Sequence, residues 1–453
     1  MANVTGKHPV DEMLPAGRLF LYGLQHVLAM YAGAVAVPLI IAAAAGLTKE
    51  QTAFLINADL FTCGIATLLQ TLGIWKLGIR LPVIQGVTFA AVTPMVMMAK
   101  AGGMPMIFGS VIIAGLVTFL LAPFFSKLLR FFPPVVTGSV ITVIGVSLLP
   151  VGVNWAAGGV GNKNYGSLTF LAVAGIVLVT ILLINKYLKG FLANIGVLIG
   201  LLVGMVVAIP LGLVDFSGVS TAPWMGIDTP FYFGVPVFDM GSIIAMILVM
   251  LVVMVESTGD FLAIGEMVDK HIGEEELTRG LRADGAATML GGIFNAFPYT
   301  AFAQNVGLVG LTGVKSRFVV AMSGIILVAM GLFPKLATII ASLPNAVLGG
   351  AGIAMFGIVA ASGIKTLSKV DFDKNSHNLF IVAISIGIGL IPLVAPDFFK
   401  LFPNWSQTVL HSGITLGSLT AIILNAFFNG SGKNDTDDEM KKKLSGNTGM
   451  MQH

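Results

Sequence analysis

Pro298-Tyr-Thr-Ala-Phe-Ala-Gln304-Asn305-Val-Gly307-Leu-Val-Gly-Leu-Thr312-Gly313-Val-Lys315-Ser-Arg317 puts proline, glycine and two amide side chains where a continuous membrane helix would carry leucine. Backbone that is not helical at membrane depth is tolerated only where protein buries it or it lines a cavity. A second stretch of the same kind, Leu81-Pro-Val-Ile-Gln85-Gly86-Val-Thr88-Phe89, lies in the first half of the chain. Paired breaks in the two halves of a transporter point to its binding site.

The surroundings of these breaks set the fold class. Of the 453 residues, 56% are hydrophobic and 10% charged, against about 25% charged in soluble domains. Apolar segments close to the roughly 20 residues that span a bilayer recur from Arg18 to about Asn429. The reading is an all-α polytopic membrane protein with fourteen spans. They centre on Gln25, Thr62, Ala90, Ile113, Ile144, Val177, Val203, Val252, Leu290, Val309, Ile326, Met355, Ile386 and Leu419. With the N-terminus inside, the external segments hold only Lys49, Lys100, Lys163, Lys335 and Lys400 of the 25 Lys and Arg residues. That is the asymmetry the positive-inside rule requires. It places both termini, residues 1–17 and the polar tail 430–453, in the cytoplasm. The tail's composition reads as disordered.

Fourteen spans divide into two inverted repeats of seven. PPVVTGSVITVIGVSLLP at 133–150 resembles PNAVLGGAGIAMFGIVAAS at 344–362, with Gly138 and Gly145 matching Gly350 and Gly357. The net charge of +3 comes from loop residues such as Lys127 and Arg130 rather than from one basic patch, so no nucleic-acid partner is expected. The single cysteine, Cys63, excludes an intrachain disulfide and a cysteine-based metal site. No phosphate loop, His-rich metal spacing or nucleophile motif is present, so the chain does not read as an enzyme, and no metal or cofactor is expected.

The ionisable residues inside the spans are the candidate working parts. Glu256 and Asp260 stand four apart, so both carboxylates project from one helical face. Two close acids in a membrane are costly unless paired or solvated, which makes them natural carriers of a coupling proton; hydrogen bonding to neighbouring helices is the plainer alternative. Asp284 reads either as the N-cap of span nine or as a polar anchor for the site. His26 is either a satisfied packing residue or a functional one, and Asp59 is an intramembrane acid without an evident partner.

Gln304-Asn305-Val-Gly307-Leu-Val-Gly-Leu-Thr312-Gly313 resembles the signature of the nucleobase-ascorbate transporter family at all five constrained positions. Gln25-His26 resembles that family's Gln-His element, while Glu256 and Asp284 stand where its span-eight Glu and span-nine Asp are expected. The resemblance implies a core domain of spans 1–4 and 8–11 (residues 18–130 and 241–343) and a gate domain of spans 5–7 and 12–14 (131–240 and 344–429). A homodimer and proton-coupled nucleobase uptake at a bacterial-type inner membrane are also implied. Glu256 and Gln304 would then hydrogen-bond the base, and backbone near Phe89 and Ala303 would complete the site. His26, Asp260 and Asp284 would serve proton coupling beside Glu256. Asn305, Gly307 and Thr312 would hold the segment's shape.

A planar base with alternating N–H and C=O edges suits a carboxylate and an amide, and Phe89 could stack on it. Xanthine permeases of the family commonly carry Asn at the positions of Thr88 and Val306, and uracil permeases a His at that of Asp260. Uric acid is therefore favoured over xanthine. An anion transporter of the same fold is a further alternative, which would favour helix N-termini or cations at the centre. Sodium in place of the proton stays open.

Overall fold

The computed structural model describes residues 8–430; beyond Gly430, the tail expected to be disordered lies outside the described residues. Helix α1 covers Ala16–Ala45 and α2 Lys49–Leu72. A three-residue strand β1, Gln85–Val87, leads through a 3-10 turn into α3, Val92–Leu121. Then come α4 Pro134–Ala156, α5 Leu168–Tyr187 and α6 Gly196–Ala208. The second half holds α7 Met240–Met267, α8 Glu274–Ile293, strand β2 Tyr299–Ala301 and α9 Ala303–Thr312. It closes with α10 Arg317–Gly331, α11 Pro334–Ala341, α12 Asn345–Leu367, α13 His377–Val394 and α14 Gly413–Asn429.

Eight of these helices are long and apolar enough to cross a membrane, and α10 with α11 forms one further candidate bent by 80°. All fourteen span centres read from the sequence fall within helical segments. Spans three and four share the α3 run, which bends where Gly103 takes φ 71° and ψ −166°, a conformation open to glycine. Span nine required a shift. Helix α8 starts at Glu274, with Gly273 as N-cap, its N–H bonded to Glu276 at 3.1 Å. Asp284 therefore sits mid-helix and fully buried, and is not an N-cap.

The helices pair in a pattern that survives exchange of the two halves. Helix α2 packs on α10 as α3 packs on α8, α5 on α6 as α13 on α14, and α4 packs on its own counterpart α12. Small residues permit these contacts, since packing in lipid depends on close backbone approach. A Cβ on Gly64 would lie 2.6 Å from the Gly324 carbonyl and 2.7 Å from Val328. Its mirror contact is Gly285, whose added Cβ would lie 2.8 Å from the Gly115 carbonyl and 2.5 Å from Phe119.

The α4–α12 contact fixes the repeat register, and it differs from the sequence match by one residue. Gly138 meets Leu367 as Gly349 meets Ala156, and Gly152 meets Ile353 as Gly363 meets Thr142. These equivalences follow the separation of the two N-cap prolines, Pro133 and Pro344, so Gly138 corresponds to Gly349 rather than Gly350. Gly350 instead packs against Ala174 of α5, and Gly357 faces open space. Runs rich in Gly, Ala and Val score almost equally well in adjacent registers, which is why the sequence alone slipped.

The N-terminal segment is tied to the core. Val10 is fully buried, Arg317 bonds Asp11 at 2.6 Å and the Thr71 carbonyl at 2.8 Å, and the Ser316 hydroxyl donates to the Glu12 carbonyl at 2.6 Å. Lys315 pairs with Asp269. Lys315 and Arg317 thus fasten the N-terminal segment and the end of α7 to the start of α10.

Candidate functional site

The two breaks meet. Strands β1 and β2 pair antiparallel, Gln85 with Ala301, Gly86 with Thr300 and Val87 with Tyr299. The Phe302 N–H to the Ile84 carbonyl at 3.1 Å and the Thr88 N–H to the Pro298 carbonyl at 3.0 Å extend the ribbon at both ends. Backbone groups that leave the helix are thereby satisfied within the protein. Gly86 makes the crossing feasible, because a Cβ there would stand 2.2 Å from Cδ2 of Phe302. Gly86→Ala is expected to push the Phe302 ring out of its slot and cut uptake at least tenfold at unchanged surface expression. Transport assays normalised to surface protein check this.

Each strand runs directly into a helix start. Thr88 caps the turn at Phe89 by accepting the Ala90 N–H at 3.1 Å, while Phe302 precedes α9 with no side-chain cap. The first turns of a helix leave N–H groups without intrahelical acceptors. Two positive dipole ends therefore flank the ribbon.

A cavity of about 590 Å³ opens beside it, a size typical of small-molecule sites. Its walls include Thr88, Phe89, Glu256, Asp260, Ala303 and Gln304, so all five expected base-contact residues line one space, together with one of the expected coupling acids besides Glu256. Phe89 is held edge-on by Phe356 at 5.9 Å between ring centres. The cavity extends past Leu129, Phe132 and Thr366 to Lys369. Leu129 clusters with Ile79, Val268 and Leu277, so the cavity reaches the end of the molecule where α2 and α7 finish.

The remaining expected residues lie behind this wall. Asp284 accepts a hydrogen bond from Nε2 of Gln70 at 2.6 Å, and the same amide donates to the Gly280 carbonyl at 2.8 Å. Ser257 links that acid towards the cavity: its hydroxyl lies 3.3 Å from that of Thr300 and accepts the Ala301 N–H at 3.2 Å. Asp260 stands within electrostatic reach of both Glu256 and Asp284. His26 is buried outside the cavity, where Nδ2 of Asn305 reaches its Nδ1 at 3.1 Å and its carbonyl at 2.9 Å. The pair fastens α9 to α1. Thr312 donates to the Leu308 carbonyl and accepts the Val314 N–H, shaping the end of α9 before left-handed Gly313. Gly307 faces open space, so no close contact accounts for it.

Several participants escaped the sequence reading. Asp59 has a partner, the Tyr299 hydroxyl at 3.0 Å. Gln70, Ser257, Thr300 and Lys369 were not singled out. Gln70 did carry a signal, being an amide in the second half of an apolar span. The expectation that central helix N-termini would mark an anion transporter loses its force, since this site has two such termini and acids together.

Comparison with known proteins agrees with this site. The Xan_ur_permease model, described as a permease family, matches residues 17–398. The uric acid transporter UacT of Escherichia coli (strain K12) is 52% identical over 93% of this chain and 88% of its own. A xanthine permease of Bacillus subtilis (strain 168) is 49% identical over 91% and 94%, and the uric acid permease PucK of the same organism 48% over 94% and 99%. Among solved structures, the transmembrane domain of the cyanobacterial bicarbonate transporter BicA aligns with TM-score 0.56 at 15% identity, covering 90% of this chain and 98% of that one. SLC26A9 aligns with TM-score 0.62 at 12% identity, covering 91% and 66%. At such identities these two share the fold alone. With the family match running from the start of α1 past the end of α13 and a site assembled from that match's two broken segments, the chain belongs to this permease family and is a multi-pass membrane transporter.

Proposed function

We propose that the chain is a proton-coupled symporter that imports a purine base, uric acid before xanthine, across a bacterial cytoplasmic membrane. The observation that carries this reading is the cavity that Glu256, Gln304 and Phe89 line together, beside two helix starts. A carboxylate that accepts, an amide that does both and backbone N–H groups that donate match the alternating edge of an oxopurine. The names of the 52% and 48% identical relatives support uric acid, and that of the 49% identical one supports xanthine. The exchange symmetry of the helix contacts supports fourteen spans as two inverted repeats of seven. The charge asymmetry supports cytoplasmic termini, so the cavity, reaching Lys369, opens inward.

The core domain, which carries the ribbon and α7, moves against the gate domain built on α4 and α12. A proton on the Glu256–Asp260 pair lowers the cost of that movement, with Asp284 and His26 behind the wall as coupling partners. The protein works as a homodimer and needs no cofactor beyond the coupling ion.

Uptake of radiolabelled uric acid and xanthine in cells lacking their own permeases, with and without a protonophore, tests the reading. Accumulation of a purine that collapses with the proton gradient is expected; silence for both bases would overturn the assignment. Thr88 lines the cavity, and Asn there adds a donor and an acceptor. Thr88→Asn is expected to shift the ratio of uric acid to xanthine uptake five- to tenfold towards xanthine, measured by cross-competition; one well-placed hydrogen bond is worth about 1 kcal/mol.

A further inference from the structure

A second cavity, of about 650 Å³, lies at the opposite end of the core domain, where α2 begins. It is roofed by the segment between α6 and α7 and walled by Ala53, Phe54 and Asn57 of α2 and by Pro334 and Thr338 of α11. The roof is held down by backbone bonds from Gly226 to Leu332, Phe231 to Ile293 and Val237 to Pro105, and by the Asn295 amide on the Thr229 carbonyl at 2.8 Å. Tyr232 stacks on Phe54 at 3.9 Å between ring centres. At the rim, Lys49 is paired with Asp215.

Two of its polar side chains have unspent capacity. Asp228 is 6% exposed and Asn57 is 2% exposed, yet Oδ2 of Asp228 and Oδ1 of Asn57 have no hydrogen-bond partner among the described residues. Buried polar atoms left unpaired cost about 1–3 kcal/mol each, so a pair of them in one cavity calls for an occupant. Thr221 and Thr338 spend their hydroxyl protons on the Gly218 and Pro334 carbonyls and so present lone pairs. Burial also pushes the Asp228 carboxyl up to about 7, so at neutral pH it presents a donor as well as an acceptor. No group of three metal-ligating side chains exists among the described residues. Apolar and aromatic walls with a few inward acceptors fit a planar organic molecule bearing N–H groups.

We infer that this outer cavity is a second binding site for a planar N–H-bearing heterocycle, the transported purine itself, met before it reaches the central site. The inference rests on the proposed purine specificity. The base lies flat against the Phe54–Tyr232 wall, its ring N–H groups on Asn57 and Asp228. Its walls on α2 and α11 belong to the core domain, and its roof is the segment that leads from the gate domain into α7.

The test is binding stoichiometry of the purified full chain in nanodiscs, by equilibrium dialysis with radiolabelled uric acid and, separately, xanthine. Two molecules per chain are expected in the unsubstituted protein. Glu256→Gln is expected to retain one, Asp228→Ala to retain one, and the double variant none. Thr221→Tyr fills the cavity from an exposed position without touching the buried acid, and is expected to weaken the second site at least tenfold. A single molecule per chain, lost in Glu256→Gln and kept in both outer variants, would overturn the outer site while leaving the purine reading intact. Binding of neither base would sink both.

Discussion

Glu256→Gln is expected to abolish accumulation of uric acid while leaving the protein inserted and folded. Glu256 lines the central cavity, one helical turn from Asp260 and beside the N-terminus of α9. The amide is nearly isosteric, so packing of α7 is preserved. What is lost is the charge. A hydrogen bond to a charged group is worth about 1.5–3 kcal/mol, or about 10- to 150-fold in affinity. The larger effect is on coupling, because glutamine carries no proton and the remaining acid, Asp260, no longer shares one with a neighbour. Uptake under an imposed proton gradient, with surface protein quantified in parallel, checks both parts. Normal accumulation would falsify the proposed role; residual facilitated exchange without accumulation would locate the defect in coupling.

Gly349→Val is expected to prevent stable packing of α4 against α12. A Cβ at Gly349 would lie 2.0 Å from the backbone nitrogen of Ala156, with no flexible side chain able to yield. Overpacking costs about 1–3 kcal/mol when side chains absorb it; here two helix backbones must separate along the α4–α12 contact. Folded protein recovered by size-exclusion chromatography should fall several-fold and its thermal midpoint should drop. Gly357→Ala is the matched control, since an added Cβ there meets nothing within 4 Å. A Gly→Ala change in a helix interior that meets no clash stabilises by about 0.5–1 kcal/mol. Equal stability of the two variants would contradict the repeat register given by the contacts.

Features that violate the composition of a membrane were legible in the sequence. Gln85, Gly86, Gln304 and the Glu256–Asp260 pair stand out because lipid makes polar groups and broken backbone expensive. Features that depend on a distant partner were not. The Gln70–Asp284 bond joins residues 214 apart, and Tyr299 reaches Asp59 across 240; nothing local in either segment announces the other. Asp284 was placed too near a helix start because the apolar part of span nine begins only after it. Glu274, Glu275 and Glu276 were the better signal, three acids in the first turn where the helix dipole favours them. The outer cavity was invisible for another reason: its roof, residues 209–239, has no periodicity to read.

The ribbon of β1 and β2 has a thermodynamic consequence. Because the two broken segments are bonded to each other, they form one rigid holder and cannot be drawn apart to let substrate through. The same donors and acceptors then surround the base whichever side of the membrane is open. A carrier with one holder has no built-in direction, and under the proposed symport the sign of net flux follows only the gradients of base and coupling ion. Cells preloaded with uric acid and exposed to an inverted proton gradient would therefore lose it through this protein.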